Sequence, residues 1–231
     1  STIILSFRVK LCGKTITLGL QLIISINYTY AKIHKKRKGK MNLAILASHN
    51  GTVLDIIKEK IDSKKLNVTI SLIITNNSNA NVIEKAIKYN IPYKIVNAKL
   101  FPDISTDEVI LKYLQESQTD YILLAGYMKK IGDCIIENYP NKIINSHPAL
   151  LPKYGGVGMY GRYVHEAVMA NKECISGVTI HFVNSHYDEG EMIIQKTIGI
   201  SPSWNIDDLE QNIKTLEQDT IIEVLQNLAN K

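Results

Sequence analysis

Cysteine is scarce: Cys12, Cys134 and Cys174 are the only three in 231 residues, and no two of them form a C-x-x-C pair. That spacing argues against a zinc site and against a disulfide framework, and it points to a reducing, intracellular compartment, so a cytoplasmic location is expected. Long hydrophobic runs are missing too. The apolar segment 15–26, TITLGLQLIISI, has 12 residues, short of the roughly 20 that a membrane-spanning helix needs. It has the length of a signal-peptide core, yet no clear small-residue cleavage pattern follows it. Acidic residues are absent from 1–40, where nine Lys or Arg stand, leaving 18 basic against 22 acidic residues in the remainder, a net of −4. The alkaline isoelectric point of about 8.9 therefore belongs to the leader alone. Its run KIHKKRKGK could attract nucleic acid or an anionic membrane. Nothing before Met41 is patterned like a folded element, however, and Met41 opens a strand-like run at once. Residues 1–40 are therefore expected to be a basic extension, disordered or not native, with Met41 as the native start and neither nucleic acid nor membrane as a partner.

What remains, 41–231, carries enough apolar sequence to bury a core without staples (45% of the whole chain is apolar and 21% charged). Short β-rich runs alternate with amphipathic stretches. Strands are expected at 42–47, 68–75, 93–98, 121–126 and 142–147, and helices near 53–63, 79–89, 105–117 and 131–138. That alternation is the pattern of βαβ units, so the fold class is α/β: one domain with a largely parallel twisted sheet flanked by helices. Ser105 and Glu108 are spaced as a capping box for the third helix. Two further runs, 176–183 and 191–198, are joined by NSHYDEG as a hairpin or neighbouring strands, and a last helix follows from Asn205.

Ligands of open α/β sheets settle beyond the carboxyl ends of the strands, so residues just after each strand are the candidates. After the first strand comes Ser48-His49-Asn50-Gly51-Thr52, where backbone N–H groups and a helix N-terminus make an anion site and Gly51 permits close approach. An ordinary strand-to-helix turn capped by Thr52 reads equally well there. At the end of the fifth strand, Asn145 and His147 share one face of Asn145-Ser146-His147-Pro148, an amide donor beside an imidazole able to act as acid or base. Asp188, in His186-Tyr187-Asp188-Glu189-Gly190, is a carboxylate that would raise the pKa of a nearby His147. His165 and His181 read as structural.

In this order and at these separations, the three segments resemble the folate-dependent formyltransferase family, in particular the glycinamide ribonucleotide formyltransferases. NSHPALLPKYGG is similar to the signature Asn-x-His-Pro-(Ser/Ala)-Leu-Leu-Pro, and GVTIHFVNSHYDEG to the segment that ends in the catalytic Asp. LAILASHNGT resembles the phosphate loop, and LLAGYMKKI the lining of the folate pocket. The resemblance implies transfer of a formyl group from 10-formyltetrahydrofolate, as co-substrate and without metal, to the amine of glycinamide ribonucleotide in purine synthesis. It assigns catalysis to Asn145, His147 and Asp188, with Asp188 holding His147 cationic. It assigns the ribonucleotide to Asn50, Gly51, Thr52, Val53 and Glu217, and the folate to Met128, Lys129, Lys130, Ile131 and Asn145. A monomer or homodimer working on small molecules is expected.

The chain departs from the family pattern in places. His49 stands where many members have Gly, and Val53 where an Asn often holds the nucleotide. No Arg occurs between 99 and 161 to meet a folate tail, so Lys112, Lys129 or Lys130 would substitute without the bidentate fork. The stretch GGVGMYGRYVHEAV is an extended loop before His165. Other readings are a formyltetrahydrofolate deformylase, whose regulatory domain residues 1–40 do not resemble; a methionyl-tRNA formyltransferase, which needs a further C-terminal domain; and a folate or nucleotide sensor without turnover.

Overall fold

The structure, a computed structural model, describes residues 6–11, 14–19 and 39–230. Two strands precede Met41, β1 (Ser6–Leu11) and β2 (Lys14–Gly19), paired antiparallel as a sheet of their own. They were not expected, since the leader shows no strand patterning. Apart from residues 39–40, the rest of the expected leader, including most of its apolar segment, most of its basic run and Cys12, lies outside the described residues. Cys174 is a free, exposed thiol, while Cys134 is disulfide-bonded, a single bridge where the spacing argued against a disulfide framework.

From Met41 the chain builds β3 (Met41–Leu46), α1 (Thr52–Asp62), β4 (Val68–Thr75), α2 (Val82–Lys88), β5 (Tyr93–Ile95), α3 (Thr106–Glu116), β6 (Tyr121–Leu124), α4 (Asp133–Asn138) and β7 (Ile143–His147). Then follow α5 (Arg162–Ala170), β8 (Ile175–Phe182), β9 (Met192–Gly199) and α6 (Ile206–Ala229). One seven-stranded sheet runs β5-β4-β3-β6-β7-β8-β9, with β3 to β7 parallel and β8 and β9 antiparallel. The expected α/β fold is what forms.

The central parallel strands β3 and β6 are apolar on both faces because helices cover both sides. Leu43, Ile45, Ile73 and Leu123 pack against Leu54 and Ile57 of α1 and Ile213, Ile221 and Leu225 of α6. The alternate residues Ala44, Leu46, Ile74 and Ile122 pack against Ile110 and Leu114 of α3 and Ile135 of α4. Because β4 lies on one side of β3 and β6 on the other, the chain reverses its direction of growth there. The loops after β3 and β6 therefore diverge at a topological switch point.

Local details differ from expectation. Helix α5 grows from a stretch read as loop. Ser105 is the N-cap of α3 but its side chain makes no capping bond, so the capping box expected there does not form. One does form at α6, where Asn205 Oδ1 accepts from the Asp208 N–H and Asp208 accepts from the Asn205 N–H.

Candidate active site

Strand β7 ends with Asn145 and His147 two residues apart, hence on one face, and β8 runs antiparallel beside it with Asn145 opposite His181 and His147 opposite Thr179. The β8–β9 register shifts between Ile180 and His181, a bulge that bends the pair beside this face. The connection after β8 folds back and carries Asp188. Gly190 is required there, since a Cβ at that position would stand 1.6 Å from the Phe182 carbonyl oxygen.

The result is a tight polar group. His147 is 3% exposed. Its Nε2 lies 2.6 Å from the Tyr154 carbonyl oxygen and its Nδ1 3.6 Å from Asp188 Oδ2. A carbonyl only accepts, so Nε2 carries a proton. Asp188 Oδ2 accepts from the Gly156 N–H at 2.9 Å, and Oδ1 lies 3.5 Å from His181 Nε2. His181 Nδ1 lies 2.9 Å from the Phe182 carbonyl oxygen, and its Nε2 pairs with Asn145 Nδ2 at 3.3 Å while facing Asp188. That bond orients the Asn145 amide.

Burial lowers the pKa of His147, and this outweighs the upward pull of Asp188 and of the Tyr154 carbonyl; His181 adds a downward push. The expectation that Asp188 holds His147 cationic is thus corrected: Asp188 acts in the expected direction, but desolvation wins. Burial pushes the Asp188 carboxyl up, yet His181, the Gly156 N–H and His147 together hold it below the usual carboxylate range.

The β3–α1 loop lies two strands from β7, across β6. Gly51 is the N-cap of α1 in the left-handed region (φ 51°), and a Cβ there would meet Val82 Cγ2 at 2.6 Å. No side chain caps α1, Thr52 included. The Asn50 side chain accepts from Asn81 Nδ2 at 2.9 Å. Val53 is buried against the sheet, so only its backbone faces the loop. Glu217 on α6 is half-buried; burial raises its pKa, and Ser146 and Lys214 oppose that only partly.

On the other side, Met128, Lys129 and Lys130 are exposed, whereas Ile131 is buried in the core and offers only its backbone. Lys130 Nζ lies 5.5 Å over the Tyr187 ring, which links this loop to the one bearing Asp188. Between the two loops opens a cleft of about 570 Å³ lined by Ser48, His49, Asn76, Asn77, Asn97 and Lys99, among others, and by Met128 and Lys129, with no carboxylate.

Two features escaped the sequence reading. His181, read as structural, sits at the centre of the polar group; its pairing opposite Asn145 was the available signal. The cleft-lining run Asn76-Asn77-Ser78-Asn79, directly after β4, was a polar strand end of the kind that marks sites. His165 is 4% exposed, with Nδ1 lacking a hydrogen-bond partner and its pKa lowered by burial, in keeping with a structural reading.

The Formyl transferase family matches residues 41–225. The chain is 33% identical to the chloroplastic phosphoribosylglycinamide formyltransferase of Arabidopsis thaliana over 83% of its own length, and spans 66% of that relative. It is 31% identical to the phosphoribosylglycinamide formyltransferase of Bacillus subtilis, covering 81% of this chain and 96% of that one. The solved glycinamide ribonucleotide transformylase 1 of Geobacillus kaustophilus superposes with a TM-score of 0.75 at 31% identity, over 82% of this chain and 99% of that one. With the matched segment running from the first strand of the large sheet into its last helix, the chain belongs to the formyl transferase family.

Proposed function

We propose that the protein transfers the formyl group of 10-formyltetrahydrofolate to the amine of glycinamide ribonucleotide, a step of purine synthesis, in the cytoplasm. The observation that carries this reading is the convergence of Asn145, His147 and Asp188, held by His181, at the carboxyl end of β7, in the sheet whose β3 and β6 carry the two loops of suitable chemistry.

The amine nitrogen attacks the formyl carbon and the carbonyl oxygen gains negative charge. Asn145 Nδ2–H and the Nε2–H of His147 are the donors aimed at it, the latter by exchanging the Tyr154 carbonyl for the substrate oxygen. A neutral imidazole is sufficient for that donation. Collapse re-forms the C=O and breaks the bond to the folate nitrogen, which takes up the proton that the amine loses. Asp188 faces His147 Nδ1 and stabilises the cation if the ring gains a proton during the step.

The ribonucleotide's phosphate is assigned to the N–H groups of Gly51 and Thr52 at the uncapped start of α1, with Asn50 and the Val53 backbone beside it, and its glycinamide end to Glu217. The folate is assigned to the backbone from Met128 to Ile131. Lys129, which lines the cleft, is the cation placed to meet its anionic tail, whereas Lys112 on α3 lies 3.9 Å from Glu116.

The test is incubation with 10-formyltetrahydrofolate, with and without glycinamide ribonucleotide, following tetrahydrofolate release. Release that requires the ribonucleotide and is lost in His147→Ala supports the transfer. Release without it makes the enzyme a deformylase, and no release, with tight uptake of ligand, makes it a sensor.

A further inference from the structure

The geometry points to Ser48 as a positioning residue shared by both substrates, an inference that rests on the proposed transfer. At a topological switch point the flanking loops diverge and leave a crevice. Here the crevice between β3 and β6 is stitched across by one residue. Ser48 is 2% exposed. Its hydroxyl donates to Asn76 Oδ1 at 2.6 Å and accepts from the Met128 N–H at 2.8 Å. Its own N–H donates to the Gly126 carbonyl at 3.2 Å, and its carbonyl accepts from Asn77 Nδ2 at 3.2 Å. Asn97 Nδ2 in turn donates to the Asn76 carbonyl at 3.1 Å.

Every polar group of Ser48 is thus spent on binding the β6 and β4 loops together. Ser48 also begins the loop that reaches Gly51, while Met128 begins the segment assigned to the folate. The Met128 N–H points at a buried hydroxyl and not at water. Removing that hydroxyl would leave the N–H without an acceptor and release the loop to relax toward solvent. Ser48 borders the cleft, but its hydroxyl, N–H and carbonyl are all engaged within the protein. It acts by setting the spacing of the two backbones assigned to the substrates, so it governs binding on both sides of the crevice and leaves the donors Asn145 and His147 undisturbed.

The experiment uses the full chain as wild type, Ser48→Ala, Ser48→Thr and Asn76→Ala. Two readouts are taken: steady-state kinetics with both substrates varied, and hydrogen exchange at the Met128 amide without ligand. Ser48→Ala is expected to raise KM for both substrates by about tenfold, the size of one buried donor left unsatisfied, with kcat within about threefold. Met128 exchange is expected to quicken in the same variant. Ser48→Thr keeps the hydroxyl and is expected to restore both readouts; Asn76→Ala, which removes only one partner, shifts them in the same direction by less. An unchanged KM for either substrate, or a Thr variant that folds and is as impaired as the Ala variant, overturns the inference. If the Thr variant does not fold, Asn76→Ala decides between the two outcomes. If wild type shows no ribonucleotide-dependent turnover, the transfer reading fails by itself, and Met128 exchange alone then decides whether Ser48 holds the loop.

Discussion

The two ends of the row of strand-end loops are built on opposite plans. At the β7–β8 end, Asn145, His147, His181 and Asp188 are interlocked, and their facing polar atoms are directed at one another or at backbone groups. At the β3–β6 end, asparagines that bond within their own loops frame an open cleft, and Lys99 and Lys129 stand exposed in it. Reacting groups need fixed positions, because small displacements forfeit transition-state stabilisation. Recognition of a charged ligand tolerates solvated, mobile side chains. The contrast therefore separates chemistry from recognition, and it predicts that substitutions at the two ends will differ in kind: loss of kcat at the first, rise of KM at the second.

The largest effect is expected for His147→Ala and Asp188→Asn, which should each lower kcat by about 10²- to 10⁴-fold, with folding retained in circular dichroism. A His147→Ala enzyme keeping a tenth of the wild-type turnover would break the comparison. Next comes Gly190→Ala. With Phe182 O at 1.6 Å from the added Cβ, the backbone bearing Asp188 has to move. A thermal melt should show a loss of about 1–3 kcal/mol, and turnover should fall with it. Gly51→Ala probes the other end. Its positive φ costs about 1–2 kcal/mol in a residue with a Cβ, and Val82 is in the way. KM for the ribonucleotide should rise while kcat holds, and adding Val82→Ala should relieve the clash but not the backbone cost. A fall in kcat alone would erase the distinction between the ends.

The smallest effect concerns pH. Burial lowers the pKa of both His147 and His165, so the unfolded chain binds protons at these sites before the folded one does. Stability from this source is complete above the ordinary histidine pKa of 6.5, and is lost as pH falls from there through the lowered folded values. Asp188, also lowered, adds a loss at more acidic pH. Denaturant midpoints between pH 8 and pH 5 should decline, and His165→Gln should flatten the slope. An unchanged slope would show that His165 does not titrate in that range.

Much of this was legible in the sequence, for physical reasons that also explain the gaps. Strand β4 was placed to the residue because an apolar, β-branched run bounded by polar residues has one reading. Strand β5 was drawn too long, since Val96 is buried just beyond its last ladder residue. Helix α5 was missed because the glycines before it mask its start. Asn145, His147 and Asp188 could be named from their motif. His181 could not be given its role, because that role exists only in the register that sets it opposite Asn145. Val53 and Ile131 were named from alignment with loops, but their side chains point into the core and only their backbones remain for ligands. Ser48 was seen as part of a turn; its partner Met128 lies 80 residues away, beyond any local pattern.

That distance bears on the order in which the molecule forms. The β8–β9 hairpin closes a short loop, whereas the pairing of β3 with β6 joins Leu43 to Tyr121 and waits for the whole of α1, β4, α2, β5 and α3 to be threaded between them. Closing the longer loop costs more chain entropy and comes later. The crevice exists only once that ladder has closed, so catalytic competence reports on completion of the fold more sharply than secondary structure content does.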